Sequence, residues 1–335
     1  MSEIVTEGGL RELAGAWLAG GKRLAGPCRV KADRVFYRAV TAPGELLLAS
    51  CRPDNSIKEF FFPRHEKLYG YRLTGNGVEL FDTEEATGAQ LVFAGRPCDA
   101  AALPVLDHVF NWDFPDRFYL QRREATTVVT FACVDADEHC FCTSVGLAPD
   151  AARGSDALLI AAGDGAFEVR VLTEKGRALF AGRTVVSDKQ GRVAAPPPVR
   201  FDAAAAGAFA RDRFEDPFWR THTLACLGCG ACAYTCPTCH CFDIADEGAG
   251  STGHRVRNWD SCQFDMFTLH ASGHNPRAGQ AARQRQRIYH KFHVYPEKFG
   301  AILCTGCGNC GRNCPAGLGV LPLVTEIDDG KHLQA

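Results

Sequence analysis

The sequence has almost no net charge: 37 Lys and Arg against 39 Asp and Glu leave a formal charge of -2 over 335 residues. Bulk electrostatics therefore nominate neither nucleic acid nor an anionic membrane as a partner. No uninterrupted apolar run approaches the roughly 20 residues that cross a bilayer. Met1 to Ala19 carries acidic residues early and lacks the basic-then-apolar pattern of a secretory signal. No G-x-G-x-x-G follows a predicted strand and no P-loop occurs, while Gly163-Asp164-Gly165 is too bare a turn to bind a dinucleotide. Flavin and nicotinamide are expected on another chain, and direct membrane insertion and nucleic acid are not expected at all.

Cysteine, by contrast, is abundant, at 17 residues. Eight of them fall in two copies of C-x2-C-x2-C-x3-C-P: Cys226, Cys229, Cys232, Cys236 with Pro237, and Cys304, Cys307, Cys310, Cys314 with Pro315. Two-residue gaps let a tight loop aim three sulfurs at one centre, and the fourth Cys of each run ligates the other cluster in two-cluster proteins. The expected ligand sets are Cys226, Cys229, Cys232 with Cys314, and Cys304, Cys307, Cys310 with Cys236, each around a 4Fe-4S cluster. Zinc bound by the same thiolates is the alternative. Gly228, Gly230, Gly306, Gly308 and Gly311 permit positive φ and close backbone approach within the loops. Clusters need reduced thiols, which points to a cytoplasmic protein rather than to a secreted disulfide framework.

A chain of this length is expected to form two domains. The fold class read from it is α+β, an N-terminal α/β domain followed by a mainly helical two-cluster ferredoxin domain. Residues 1–195 alternate strands and helices: helical spacing over Gly9 to Ala19 and Ala100 to Phe110, strands at Glu45 to Ala49, Leu91 to Gly95 and Thr126 to Ala132. Leu158 to Ala162 and Phe167 to Leu172 flank the Gly163-Asp164-Gly165 turn as a hairpin. Residues 196–218, Pro- and Ala-rich at the start, are taken as a linker, and residues 219–335 as the cluster domain. The 67 residues between Cys236 and Cys304 must be structure in their own right. Trp259 to Ala271 and Ala278 to Phe292 are helix-compatible, with a break at Pro276.

The N-terminal half holds another four thiols, Cys98, Cys133, Cys140 and Cys142. Cys98 and Cys133 each follow a predicted strand end, where loops can converge. A third 4Fe-4S cluster is the hypothesis; zinc, or four unliganded thiols, are the alternatives. Cys239, Cys241 and Cys262 could hold a further metal, although such thiols more often pack as small hydrophobes. Cys28 and Cys51 read as structural. Asp99, His240 and Asp243 stand near candidate ligands and are either tuning groups or solvated and capping ones. Arg277, Arg283, Arg285, Arg287 and Lys291 form a basic run without an acid. It reads as a solvated helix face by default, or else as a docking surface for an acidic partner or compensation for negative clusters.

Cys226-Leu227-Gly228-Cys229 through Cys236-Pro237-Thr238-Cys239-His240-Cys241-Phe242-Asp243, with Trp259-Asp260-Ser261-Cys262 and Gly273-His274-Asn275, resembles the dicluster ferredoxin family of sulfhydrogenase beta subunits, which also contains an iron-sulfur subunit of anaerobic sulfite reductase. The likeness extends to Ser56-Ile57-Lys58-Glu59-Phe60-Phe61-Phe62-Pro63, Gly95-Arg96-Pro97-Cys98-Asp99 and Cys140-Phe141-Cys142-Thr143-Ser144, and so to most of the chain. It departs at Pro276, where an aromatic residue is expected. The resemblance implies an iron-sulfur subunit that relays electrons between an NAD(P)H-handling flavoprotein subunit and a catalytic subunit.

No residue is assigned a catalytic role. The reading is an electron-transfer subunit without a substrate site, first of a cytosolic nickel-iron hydrogenase and alternatively of a siroheme sulfite reductase. From another class, a stand-alone iron-sulfur enzyme using Cys239, Cys241 and Cys262 competes with it. A scaffold with vestigial clusters is the last option.

Overall fold

The computed structural model describes residues 1–31, 33–82 and 88–329. The last six residues of the expected second domain, 330–335, lie outside it. Twelve strands are numbered along the described chain: β1 Ser2–Thr6, β2 Arg23–Lys31, β3 Arg34–Ala39, β4 His65–Thr74, β5 Gly77–Phe81, β6 Gln90–Ala94, β7 Thr126–Phe131, β8 Ala157–Ala161, β9 Ala166–Val171, β10 Val185–Ser187, β11 Phe242–Ala249 and β12 Thr252–Trp259. Eight form one sheet in the order β10-β1-β9-β8-β7-β6-β2-β3, in which β2, β6, β7 and β8 run parallel.

Parallel strands covered on both faces read as continuous apolar runs, and every residue of β6 and β7 is buried. The period of two then sorts them. Leu91, Phe93, Val129 and Phe131 face the helix Glu7–Ala19 through Leu10, Leu13 and Ala14, whereas Val92, Ala94 and Val128 face Leu103, Leu106 and Phe110 of the helix Ala102–Phe110. Burying each large side chain contributes about 1.5–3 kcal/mol. Thr6 caps the first helix by accepting a hydrogen bond from the Gly9 amide at 3.1 Å.

The hairpin β8–β9 forms as expected. The segment Glu45 to Ala49 is not a strand; it holds the end of a 3-10 turn and one isolated bridge from Leu46 to Cys28. Its neighbours leave it no further ladder partner, because β2 is already occupied by β3 and β6.

A second sheet, in the order β11-β12-β4-β5, joins the two halves of the chain. Here β12 of the C-terminal half pairs antiparallel with β4 of the N-terminal half, Arg257 opposite Glu66. The stretch Trp259 to Ala271 is therefore a strand end followed by turns and a 3-10 turn at Met266–Thr268, not a helix. The later stretch is helical as Gln280–Tyr289, with a wider π turn over His290–Val294 and a final turn Tyr295–Phe299. The C-terminal half is thus mixed rather than mainly helical; a hairpin paired across the halves supplies much of the spacer.

Residues 196–218 contain the helix Ala203–Asp212. Its Ala206, Phe209 and Ala210 pack with Ile288, Phe292 and the apolar face of the helix Val320–Asp328, which presents Val320, Leu323, Val324 and Ile327 at helical spacing. Phe141 from the N-terminal half enters the same cluster.

Candidate metal centres

The first run builds a cavity. Cys226, Cys229, Cys232 and Cys314 line a space of about 330 Å³ together with Gln263, Gln284 and Leu318. Cys226 Sγ accepts hydrogen bonds from Gln280 Nε2 at 3.2 Å and Gln284 Nε2 at 3.0 Å, and Cys314 Sγ accepts one from the Leu318 amide at 3.2 Å. Cys229 is exposed, as is the neighbouring Leu227, so this centre reaches the surface.

The second set is buried deeper. Cys236, Cys307 and Cys310 are all buried, and Cys304 and Cys307 both face Cys236 and Cys310. Val320 N donates to Cys310 Sγ at 3.3 Å, Gly306 N to Cys304 Sγ at 3.5 Å, and Lys291 Nζ to Cys236 Sγ at 3.4 Å.

The parallel neighbours β6 and β7 deliver Cys98 and Cys133 from their carboxyl ends, Cys98 inside the short helix Pro97–Ala100. Adjacent strands lie about 4.8 Å apart, so loops leaving the same end converge. With Cys140 and Cys142 they line a cavity of about 470 Å³ that also touches Arg96, Asp135, Gly306 and Cys307. Cys142 opens a 3-10 turn rather than an extended segment, and Arg312 Nη2 donates to Cys140 Sγ at 3.3 Å.

The three sets adjoin. The loop of the second presses on the third: Phe141 N donates to Gly306 O at 3.0 Å, and a Cβ at Gly306, whose φ is +63°, would lie 2.5 Å from the Cys142 backbone. Cys307 faces Cys98 on that side, and Cys310 faces Cys232 on the other. Gly228, Gly230, Gly306 and Gly308 all adopt positive φ. Gly311 does not; it sits in the helical turn Asn309–Arg312, where a side chain would meet the His139 ring at 3.0 Å.

Burial pushes the free thiols of Cys232 and Cys304 up to about 11 and that of Cys133 up to about 12. Binding must displace these protons, which thiophilic metals do. A single zinc would draw four sulfurs to about 3.8 Å of one another, from Zn–S bonds of about 2.3 Å. Among the described residues, no three Cys, His, Asp or Glu side chains are gathered closely enough to hold one metal ion. Four thiols spread around a cavity, with amide donors on the sulfurs, fit a cluster that gives each thiolate its own iron. Arg287 agrees with an anionic occupant: it is buried, faces Cys232, Cys310, Cys239 and Cys236, and its Nε and Nη2 have no hydrogen-bond partner.

Cys239, Cys241 and Cys262 are not gathered as one set. Cys239 pairs with Cys236, lowering the Cys236 thiol, while Cys241 pairs with Cys262 and pulls it down to about 6. Cys28 lies in the core under the large sheet, and Cys51 packs on Gly95.

Asp99 is fully buried, accepting from Tyr37 Oη at 2.6 Å and facing Arg96 Nε at 3.4 Å. His240 is held neutral, burial taking it down to about 4. Asp243 is exposed on β11. The basic run is no solvated face. Arg283, Arg287 and Lys291 are buried, and Arg285 stacks over Phe214 at 3.7 Å, because the helix Gln280–Tyr289 is packed inside. This removes the docking reading for that run and favours charge compensation.

Lys58, Gln280, Gln284 and Arg312 also stand at the sites, although sequence reasoning does not find them. Lys58 lies in the Ser56 to Pro63 stretch that carries the resemblance, yet nothing local signals that its Nζ reaches Ala233 O at 3.0 Å and Cys239 O at 2.9 Å.

Residues 225–318 match the 4Fe-4S dicluster domain family. The chain is 30% identical over 321 residues to sulfhydrogenase 2 subunit beta of Pyrococcus furiosus, covering 92% of this chain and 93% of that protein. No solved structure matches it. With thiol sets, domain match and near full-length likeness in agreement, the chain belongs to the iron-sulfur family of the sulfhydrogenase beta subunits.

Proposed function

We propose that this chain is the electron-relay subunit of a cytoplasmic hydrogenase complex, standing between an NAD(P)H-handling flavoprotein subunit and a nickel-iron catalytic subunit. The observation that carries the reading is the serial arrangement of three cysteine quartets. Cys232 and Cys310 adjoin at one junction, Cys307 and Cys98 at the other. Cys226, Cys229, Cys232 and Cys314 would hold one 4Fe-4S cluster, Cys304, Cys307, Cys310 and Cys236 a second, and Cys98, Cys133, Cys140 and Cys142 a third. When bound, each supplies a one-electron carrier with a potential anywhere from roughly -700 to +450 mV.

The chain's own part is to hold and tune. Leu318 N, Val320 N, Gly306 N, Gln280 and Gln284 direct N–H groups at ligand sulfurs, which stabilises negative charge there. Packing excludes water from the second set, and the exposed Cys229 loop offers one end of the series to a partner. Residues 1–195 and 219–335 are assigned to two functional parts, the first with one quartet and the second with two. Among the described residues no helix is long and apolar enough to cross a membrane.

Iron and acid-labile sulfide counted on the anaerobically purified full chain test the reading. About 12 iron atoms per chain are expected, falling to about 8 in Cys142→Ser. Colourless protein that carries zinc would refute it. Subunits that co-purify identify the complex: a nickel-binding subunit supports the hydrogenase, a siroheme subunit the sulfite reductase.

A further inference from the structure

Three buried cations in this fold have no acid to pair with. Lys58, Arg287 and Lys291 are 3%, 2% and 2% exposed. Lys58 Nζ donates to the carbonyls of Ala233 and Cys239 and lies 4.2 Å over the Trp259 ring. Lys291 Nζ donates to Thr238 Oγ1 at 3.2 Å, to Leu303 O at 2.9 Å and to Cys236 Sγ. Arg287 reaches only Gln284 Oε1, at 3.4 Å, leaving Nε and Nη2 unpartnered. Among the described residues none of the three makes an ion pair.

An isolated buried charge is strongly disfavoured, so a counter-charge must come from what they face. All three face Cys236 and Cys239; Lys291 also faces Cys304, and Arg287 also faces Cys310 and Cys232. The other two quartets lack such a field. Around Cys98, Cys133, Cys140 and Cys142 the cations are neutralised, Arg96 by Asp99, Arg312 by Asp137, and Arg52 by Asp135 and Asp137. Around Cys226 the donors are the neutral amides of Gln280 and Gln284, and Cys229 opens to water.

We propose that Lys58, Arg287 and Lys291 are positioning residues that make the central centre, held by Cys304, Cys307, Cys310 and Cys236, the most easily reduced of the three. Added negative charge is stabilised most where uncompensated positive charge surrounds it at low local dielectric. The middle of the series then stores an electron, and both ends exchange with it. The inference rests on the three-centre reading above.

The test is a potentiometric titration of the anaerobically purified full chain, followed by electron paramagnetic resonance. Signals of the outer centres are assigned by their loss in Cys229→Ser and Cys142→Ser. The remaining signal is expected to have the highest midpoint. Arg287→Gln and Lys58→Met should each lower that midpoint by about 59 mV or more, a tenfold change for one electron. The outer centre at Cys98 should move less, and Arg287→Lys should restore most of the loss. Should Lys58→Met shed iron, Arg287→Gln decides, because its two unpartnered nitrogens support no hydrogen bond that folding needs. A central midpoint below either outer one, or variants with full iron and unchanged midpoints, would overturn the inference. A wild-type chain without three signals would instead remove the three-centre reading itself.

Discussion

Glu66 is the point at which the two halves of the chain are joined by charge, and replacing it with Gln should loosen the whole molecule. Its side chain is 1% exposed on β4 and is ion-paired with Arg122 and with Arg257 of β12; Arg257 Nε donates to Glu66 Oε2 at 3.0 Å. The amide leaves two buried guanidinium groups with Asp116 as the remaining carboxylate beside Arg257. Removing one member of a buried ion pair costs about 3–5 kcal/mol. With an unfolding entropy of about 2.1 cal/mol/K per residue, that lowers the midpoint by about 4–7 °C in a chain of this size. Circular dichroism melting under anaerobic conditions measures it. Because β12 leads directly into Ser261 to Gln263, and Gln263 lines the first cavity, iron should be released in the same transition. Glu66→Met combined with Arg122→Met and Arg257→Met should recover much of the loss. Melting of Glu66→Gln within 1 °C of wild type, or iron release well separated from unfolding, would refute the view that the shared sheet couples the halves.

Gly306→Ala should lower the iron count of both the second and third sites, since the new Cβ at a φ of +63° meets the Cys142 backbone at 2.5 Å; undiminished iron by colorimetric assay would contradict it. Burial, helped by His240, Lys291 and Arg277, holds His290 down to about 3, below the 6.5 of an unfolded His. Its neutral form is favoured by folding, so the stabilisation is present above pH 6.5 and is lost as pH falls toward 3. At pH 4 the loss is about 3 kcal/mol, and urea midpoints of His290→Gln should decline less steeply with acid than those of wild type. Parallel curves would count against it. Cys28→Ala and Cys51→Ala should retain full iron, as neither thiol lines a quartet cavity; iron loss in either would place that residue among the ligands.

The strands that can be read from sequence are those that carry their own explanation. β6, β7 and the β8–β9 hairpin are short β-prone runs ended by turn chemistry, and they appear within a residue or so of where local pattern puts them. β11 and β12 are not legible in this way. β11 reads Phe-Asp-Ile-Ala-Asp-Glu-Gly-Ala and is almost wholly exposed, so it lacks the apolar stripe that marks a buried strand. What fixes the hairpin is its pairing with β4, about 190 residues earlier, and a salt bridge that no local window contains. The same distance hides the true environment of the helix Gln280–Tyr289. Its Arg-rich composition reads as a water-facing surface, and only the fold turns Arg283 and Arg287 inward.

The candidate sites divide along the same physical line. Thiols are legible because cluster chemistry dictates their spacing: three sulfurs on a two-residue pitch need a short loop with glycines at left-handed positions, and four of those glycines take that conformation. The quartet of Cys98, Cys133, Cys140 and Cys142 has no such pitch, yet its first two members can be placed because adjacent parallel strands end together. The charge that surrounds the sulfurs follows no spacing rule. Lys58 enters from a 3-10 turn in the N-terminal half, and Arg287 and Lys291 from the far side of the spacer; they meet at Cys236 and Cys239 only in three dimensions. A cysteine motif therefore specifies which carrier is held, while the long-range fold specifies how readily that carrier accepts an electron. Two chains with the same cysteine runs can differ in direction of electron flow through substitutions at positions as remote from those runs as Lys58.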